Sequence, residues 1–292
     1  MKILFIINPV AGKNRKKDII PIIKNKFKST DHKYIITQTK EIDDARLITM
    51  KYLKQDYEII VAIGGDGTVR EVASGIKEMN KGILGIIPMG TGNDLARTLN
   101  LPLSPSKALD RILDYNIKNI NIANVEENKF LNVASIGFDA EIVKNTKIFK
   151  GLFKGKLAYT LGVLRTLFIF KPKSVTIKYN GIEKNEKVLL VAVANGNYYG
   201  GGMMISPNSK IDDNQLDICI IKNISKIKLL FLFPSVYNGK HGKYKKYVEF
   251  IRANSLNIYS KEKIFLNIDG DILEKKGLIQ FNLYNKNIKV IG

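Results

Sequence analysis

The stretch Ile59-Ile60-Val61-Ala62-Ile63-Gly64-Gly65-Asp66-Gly67-Thr68-Val69-Arg70-Glu71 decides the fold. Its apolar opening, Ile59–Ile63, reads as a strand buried on both faces, the kind found inside parallel sheets. Three glycines follow, letting the backbone turn sharply and approach a ligand that a Cβ would keep away. A helix then begins, with Thr68 and Glu71 spaced as a capping box. Free backbone N–H groups and the positive end of a helix dipole face the loop, which suits a phosphate. The Asp66 carboxylate would repel phosphate unless a cation bridged the two, so its presence points to Mg²⁺. Taken alone, the segment also fits a glycine turn before an ordinary capped helix.

The same alternation extends on either side. Ile3–Ile7 and Ile83–Ile87 are further buried-strand runs, with Tyr34–Thr37 a weaker one. Helical patterns lie around Lys16–Phe27, Asp43–Leu53, Val69–Met79 and Pro105–Tyr115. Strand–helix alternation of this kind predicts a parallel sheet covered on both faces. Two more glycine-bearing loops, Asn8-Pro9-Val10-Ala11-Gly12 and Pro88-Met89-Gly90-Thr91-Gly92-Asn93-Asp94, follow strands of that sheet. In a parallel sheet all three loops emerge at one edge, so a site there outweighs three unrelated turns.

Beyond residue 122 the texture changes. Short strand patterns succeed one another at Phe130–Ile136, Val175–Tyr179, Val188–Ala194, Leu216–Ile221, Ile264–Ile268, Leu278–Leu283 and Ile288–Ile291. Asn180-Gly181 and Asp269-Gly270 supply hairpin turns between some of them. Two basic, aromatic and apolar segments, Lys144–Lys173 and Ile224–Glu249, interrupt this half. It reads as an antiparallel sandwich.

Composition narrows the classes. With 292 residues, 45% hydrophobic and 25% charged, the chain has room for two ordinary globular domains. Cys219 is the single cysteine, which excludes a disulfide framework and suits a reducing compartment. No secretory leader is visible, and the most apolar stretch, Leu157–Phe170, is interrupted by Thr160, Arg165 and Thr166. The expectation is a soluble, cytoplasmic protein. The net charge of +20 fits either a polyanionic partner or a genome biased toward Lys, Ile and Asn codons. Only seven of the 47 basic residues are Arg, and no helix-turn-helix, RRM or zinc-finger pattern appears, so nucleic acid is not expected. No Cys/His cluster suits zinc, no Gly-x-Ser-x-Gly element suggests a hydrolase, and His32 and His241 read as surface residues.

Asn8-Pro9 with Gly12, Gly65-Asp66-Gly67-Thr68, and Pro88-Met89-Gly90-Thr91-Gly92-Asn93-Asp94-Leu95-Ala96-Arg97 together resemble the diacylglycerol kinase catalytic domain family. The likeness is nearest to its soluble bacterial lipid kinases. NAD kinases and phosphofructokinases share a similar Gly-Gly-Asp-Gly loop; the Gly-Thr-Gly-Asn-Asp run is the lipid-kinase version. Asn132-Val133-Ala134, Ile136-Gly137-Phe138-Asp139, Gly200-Gly201-Gly202 with Pro207, Asp212-Asp213 with Leu216-Asp217, and Asp269-Gly270 continue it through the second half.

The resemblance implies an α/β N-terminal nucleotide-binding domain of the NAD kinase and phosphofructokinase kind, residues 1–122. A mainly antiparallel β-sandwich lipid-substrate domain spans residues 123–292, its tail free to return to the first. It implies an ATP- and Mg-dependent lipid kinase acting on diacylglycerol at the inner face of a membrane. ATP would contact Asn8, Pro9, Val10, Ala11, Gly12, Thr39, Gly65, Asp66, Gly67, Thr68, Val69, Arg70, Glu71 and Thr91. A structural Mg²⁺ would map to Asp213 with the carbonyls of Lys210 and Gln215, a set that suits a hard cation. The residues alone read as a polar hairpin turn there. The general base would be Asp271, where the family has Glu, and Asn214 stands where it usually has Gly. Asp is one methylene shorter, which bears on rate and on acceptor placement. Asn accepts the left-handed conformation that the turn needs.

A lipid substrate requires docking on an anionic membrane surface. Phe149, Leu152, Phe153 and Leu157 among Lys144, Lys147, Lys150, Lys154 and Lys156 offer one such face. Lys240, Lys243, Lys245 and Lys246 with Tyr244 and Tyr247 offer another. Packed helix and solvated loop are the corresponding structural readings. Competing functions are the same chemistry on a sphingoid base, ceramide or phosphatidylglycerol, and a non-catalytic nucleotide-binding or nucleic-acid-binding regulator. A homodimer is left open.

Overall fold

The computed structural model describes residues 1–11, 16–28, 30–150 and 156–292. The chain divides into two compact units, Met1–Asn121 with Lys286–Gly292, and Ile122–Asn285.

In the first unit, β1 (Lys2–Ile7), α1 (Lys16–Phe27), β2 (Lys33–Gln38), α2 (Asp44–Leu53), β3 (Ile59–Gly64), α3 (Asp66–Met79) and β4 (Ile83–Pro88) alternate as the apolar runs require. Helices α4 (Asp94–Thr98) and α5 (Pro105–Asp114) follow, then β5 (Ile117–Ile120). Strands β3 and β4 are buried along their whole length, which is why their sequences do not alternate. Helix α3 sinks Val69, Val72, Ala73 and Ile76, an i, i+3, i+4, i+7 stripe, into the layer below. Pro105 opens α5, where its missing N–H costs nothing, and Ala108, Leu109 and Ile112 are buried. The sheet order is β2-β1-β3-β4, extended by the C-terminal strand Ile288–Ile291 and then β5. That strand lies parallel to β4 and antiparallel to β5, so the tail completes the first unit.

The second unit is one nine-stranded antiparallel sheet with helices on its outer face. Its strands begin with β6 (Ala123–Val125), β7 (Asn128–Phe130) and β8 (Val133–Gly137), before helices α6 (Phe138–Lys150) and α7 (Lys156–Ile169). Next come β9 (Lys173–Tyr179) and β10 (Ile182–Ala194), the short pair β11 (Tyr198–Tyr199) and β12 (Met203–Met204), and β13 (Leu216–Lys222). Helix α8 (Lys226–Tyr237), β14 (Val248–Ala253), β15 (Ser255–Ile268) and β16 (Asp271–Leu283) complete it. Strands β8 and β9 lie end to end in one column between β10 and β15, since each pairs with both. The α6–α7 hairpin is therefore an excursion from a single column. One face of the sheet forms a core around Ile136, Val191, Ile218, Leu266 and Phe281. The other packs Val133, Leu190, Ala192 and Cys219 against Phe138, Leu229 and Leu232 of the helices. The two-residue hairpins at Asn180-Gly181 and Asp269-Gly270 have positive φ at each turn residue, 46° and 77° in the first and 45° and 100° in the second.

Three expectations need correction. The run Phe130–Ile136 is two strands, broken at Leu131-Asn132, because the N–H groups there turn to a carboxylate instead of a ladder. Thr68 and Glu71 form no capping box. Helix α3 starts at Asp66 after Gly65, and Glu71 instead accepts from Ala45 N–H (3.1 Å) at the start of α2. His241 is fully buried, not a surface residue. Its Nε2 lies 3.0 Å from the Ile205 carbonyl and 3.7 Å from Cys219 Sγ, and its ring packs on Phe250.

Burial holds the His241 imidazole below its ordinary pKa of 6.5. A histidine with a depressed folded pKa stabilises the fold fully above about pH 6.5 and loses that contribution as pH falls. Melting temperature should therefore be level above neutrality and decline below pH ~6.5, by at most about 1.4 kcal/mol of stability per pH unit. Thermal melts across pH check this; His241→Gln, which does not titrate, should flatten the decline.

Candidate active site

Strand order in the first unit reverses between β1 and β3, and there the following loops part to opposite faces of the sheet, opening a crevice at the carboxyl edge. Each strand's ladder continues one residue into its loop. Thr39 N–H bonds the Ile7 carbonyl (3.0 Å), Asn8 N–H that of Ile63 (3.0 Å), and Met89 N–H that of Gly64 (2.8 Å). Four strand ends thus present Thr39, Asn8, Gly65 and Gly90 side by side across about 15 Å.

Side chains lock this edge. Asn8 Nδ2 donates to Thr68 Oγ1 (3.0 Å) while Asn8 Oδ1 accepts from Val10 N–H (2.9 Å). One side chain therefore shapes the first loop and ties it to α3. A Cβ on Gly90 would stand 2.5 Å from the Gly65 Cα, so only paired glycines let these two loops touch backbone to backbone. Asn93, at φ 54°, folds back on Gly90 through two hydrogen bonds of 2.9 and 3.0 Å. Asp66 Oδ1 accepts from Asp94 N–H at 2.6 Å, clamping the third loop to the second. No side chain caps α3, whose first N–H groups stay open to an anion. The second Asp66 oxygen has no hydrogen-bond partner among the described residues. A half-buried carboxylate with one oxygen fixed and one uncommitted, beside open N–H donors, fits a phosphate-bound cation.

In the second unit the Asp269-Gly270 hairpin carries Asp271 as the first, exposed residue of β16. Asp269 does the anchoring. Its carboxylate accepts from three consecutive N–H groups, Leu131 (2.7 Å), Asn132 (3.2 Å) and Val133 (3.0 Å). Gly270 N–H bonds Asn267 Oδ1 (2.9 Å), Asn267 Nδ2 bonds Asp139 Oδ2 (3.1 Å), and Ser135 Oγ donates to the same oxygen. Burial pushes the Asp139 carboxyl above its ordinary pKa, partly offset by the Ser135 and Asn267 hydrogen bonds. Its Oδ1 is buried without a hydrogen-bond partner. Asp139 and Asn267 also line an apolar pocket of about 60 Å³, walled by Phe138 and Ile142 of α6, Leu190 of the sheet, and Leu229, Leu232 and Phe233 of α8.

These arrangements have counterparts in known proteins. The diacylglycerol kinase catalytic domain matches residues 2–125, and the YegS C-terminal NAD kinase beta sandwich-like domain matches residues 132–291. A diacylglycerol kinase of Staphylococcus haemolyticus is 32% identical over 91% of this chain and 81% of its own. The chain belongs to the diacylglycerol kinase family. That membership places it among the lipid kinases. A solved structure described as a putative diacylglycerol kinase from Bacillus anthracis superposes with a TM-score of 0.81 at 29% identity, covering 99% of this chain and 94% of that one. An NAD kinase from Archaeoglobus fulgidus, solved in complex with ATP, shares the fold alone, with a TM-score of 0.54 at 11% identity over 100% of this chain and 94% of that one.

Set against the family's loops, the residues read from sequence separate into groups. Asn8 to Ala11, Gly65 to Thr68 and Thr91 lie together at the carboxyl edge, with Thr39 buried at its flank. Val69 is buried in the core and Glu71 braces α2, so their side chains serve the scaffold; Arg70 is half-exposed. Gly12 lies outside the described residues, as do Leu152, Phe153 and Lys154 and the side chains of Lys147, Lys150, Lys156 and Leu157. Around Asp213, Oδ1 accepts from Gln215 N–H (3.1 Å) and Oδ2 pairs with Arg252, while Asn214 has φ 58°. Arg252 thus neutralises the carboxylate that would hold a cation at this turn. Sequence reasoning left the Ser135–Asp139–Asn267 network and the Asp269 anchor without roles. Their signal was a buried polar residue beside apolar ones, Ser135 within Val133–Gly137 and Asn267 between Leu266 and Ile268.

Proposed function

We propose that this chain is an ATP- and Mg-dependent kinase that transfers the γ-phosphate to a lipid hydroxyl, with diacylglycerol as acceptor and phosphatidic acid as product. The observation that carries the lipid reading is the apolar pocket of the second unit. Its one charged wall residue, Asp139, belongs to the hydrogen-bonded network that holds the Asp269-Gly270-Asp271 turn. An alkyl chain suits its apolar lining, and the unpartnered Asp139 oxygen offers a polar atom to the glyceryl end.

In the first unit the open N–H groups of α3 and the Asn8, Gly65 and Gly90 loops would cradle the phosphates, with Thr39 and Thr91 beside them. Mg²⁺, held at Asp66, would supply charge neutralisation between the phosphate oxygens. Asp271 would take the proton from the attacking hydroxyl. A short turn braced by Asp269 and Asn267 would suit the fixed position that such a base needs.

The test is transfer of label from [γ-³²P]ATP with Mg²⁺ to diacylglycerol, ceramide, a sphingoid base and phosphatidylglycerol in anionic mixed micelles. Labelled phosphatidic acid that vanishes with Asp66→Ala is expected. Label on another lipid would move the acceptor, and label on none of them would overturn the lipid reading.

A further inference from the structure

Helix α8 is apolar on both sides. Leu229, Leu232 and Val236 are buried, as an i, i+3, i+7 stripe facing the sheet should be. Yet Ile227 is 71% exposed, Leu230 55% and Phe231 69%, one contiguous outer face. Pro234 continues that face and is also exposed. The end of α7 adds Phe168 and Ile169, and Lys226 Nζ, donating to the Phe168 carbonyl, ties the two helices together. Five large apolar side chains in one place are more than scattered exposed residues.

The rim is cationic. Lys226, Lys228, Lys240, Lys243, Lys245 and Lys246 are all exposed, and no acidic residue occurs from Asn223 to Val248 or from Ile142 to Ile182. Lys228 Nζ donates to Tyr247 Oη (2.8 Å) and Tyr244 packs beside α8, fixing the basic turn at its flank. We propose that the outer face of α8, with the end of α7, inserts into the surface of an anionic lipid bilayer. Ile227, Leu230, Phe231 and Phe168 enter below the headgroups while the lysines meet the phosphates. A second copy fits poorly, because a two-fold contact would bring lysines against lysines with no carboxylate in either excursion to pair them. The docking rests on this face alone. Its link to turnover rests on the lipid-kinase reading, in which the inner face of α8 walls the acceptor's pocket and its outer face touches the membrane that supplies the acceptor.

The experiment uses the full chain without nucleotide or acceptor, so its failure is separate from any failure of the kinase reading. Sedimentation with vesicles of phosphatidylcholine containing ~30% phosphatidylglycerol should carry the protein down, and pure phosphatidylcholine should not. Ile227→Ser with Phe231→Ser should weaken binding by roughly tenfold or more, and Lys243→Gln, Lys245→Gln and Lys246→Gln together by on the order of a hundredfold. The chain has no tryptophan, so Phe231→Trp supplies a single reporter whose emission should shift to the blue and be quenched by brominated acyl chains. Bound Phe231→Trp protein whose indole emission is neither shifted nor quenched would overturn the assignment, as would unchanged sedimentation of the folded serine variant. So would a dimer that the serine variant dissociates while vesicle binding persists, which would give the face to a second copy.

Discussion

The Asp66→Ala enzyme should lose phosphoryl transfer by about a thousandfold or more while remaining folded. Two separate losses combine at this side chain. The first is structural: Oδ1 holds Asp94 N–H at 2.6 Å, and that bond joins the Gly90–Asp94 loop to the start of α3. Losing it costs about 1–3 kcal/mol, small against the fold as a whole and spent at the edge of the crevice. The second is electrostatic. A phosphate on the N–H groups of α3 tolerates a carboxylate beside it only through a cation, so without Asp66 a Mg²⁺ bound with the nucleotide would lose its anionic anchor there. Asp66→Asn separates the two, since its amide oxygen still accepts from Asp94 but carries no charge. Thermal melting of the Asn variant should therefore match the parent while its kcat stays as low as that of the Ala variant and its Mg²⁺ requirement rises. An Asn variant with near-parental kcat would reduce Asp66 to a loop clamp.

Why the edge could be read from sequence while its supports could not is a matter of range. Strands β1, β3 and β4 announce themselves as continuous apolar runs, and the loop after each is contiguous with its strand, so topology brings the loops together. The apolar pattern marks only Val188–Ala194 of β10, because its first half, Ile182–Lys187, is mostly charged and partly exposed; that half is a hairpin arm held by pairs such as Lys178–Glu183 and Lys184–Glu249. Thr68 and Glu71 had capping-box spacing, but each found a remote partner, Asn8 and Ala45, that local pattern does not reveal. The turn network is the extreme case. Ser135, Asp139, Asn267 and Asp269 come from segments more than 120 residues apart, and only the pairing of β8 with β15 puts them in contact.

That network bears on the second large effect. Asp271→Asn should lower kcat by roughly a hundredfold to ten-thousandfold, the range for removing a positioned general base, with little change in KM for either substrate. Asp271→Glu should keep substantial activity, because it retains a carboxylate at the same place in the chain. The hairpin makes this a clean comparison. Its geometry is set by Asp269, which accepts from three backbone N–H groups, and by Gly270 on Asn267, while Asp271 is the exposed first residue of β16. Substitution of an exposed side chain such as Asp271 should leave the melting temperature within a degree or two, whereas Asp269→Ala leaves three N–H groups without their acceptor and should destabilise the second unit by about 2–4 kcal/mol. Steady-state kinetics beside thermal melts reads both quantities. If Asp271→Asn turns over at the parental rate, the proton goes elsewhere, and the Asp269-Gly270 hairpin is a structural corner whose third residue carries no chemistry. If kcat collapses at unchanged stability in the Asn variant and stays substantial in the Glu variant, the carboxylate at the start of β16 is the base, carried on a hairpin that Asp269 and Asn267 hold.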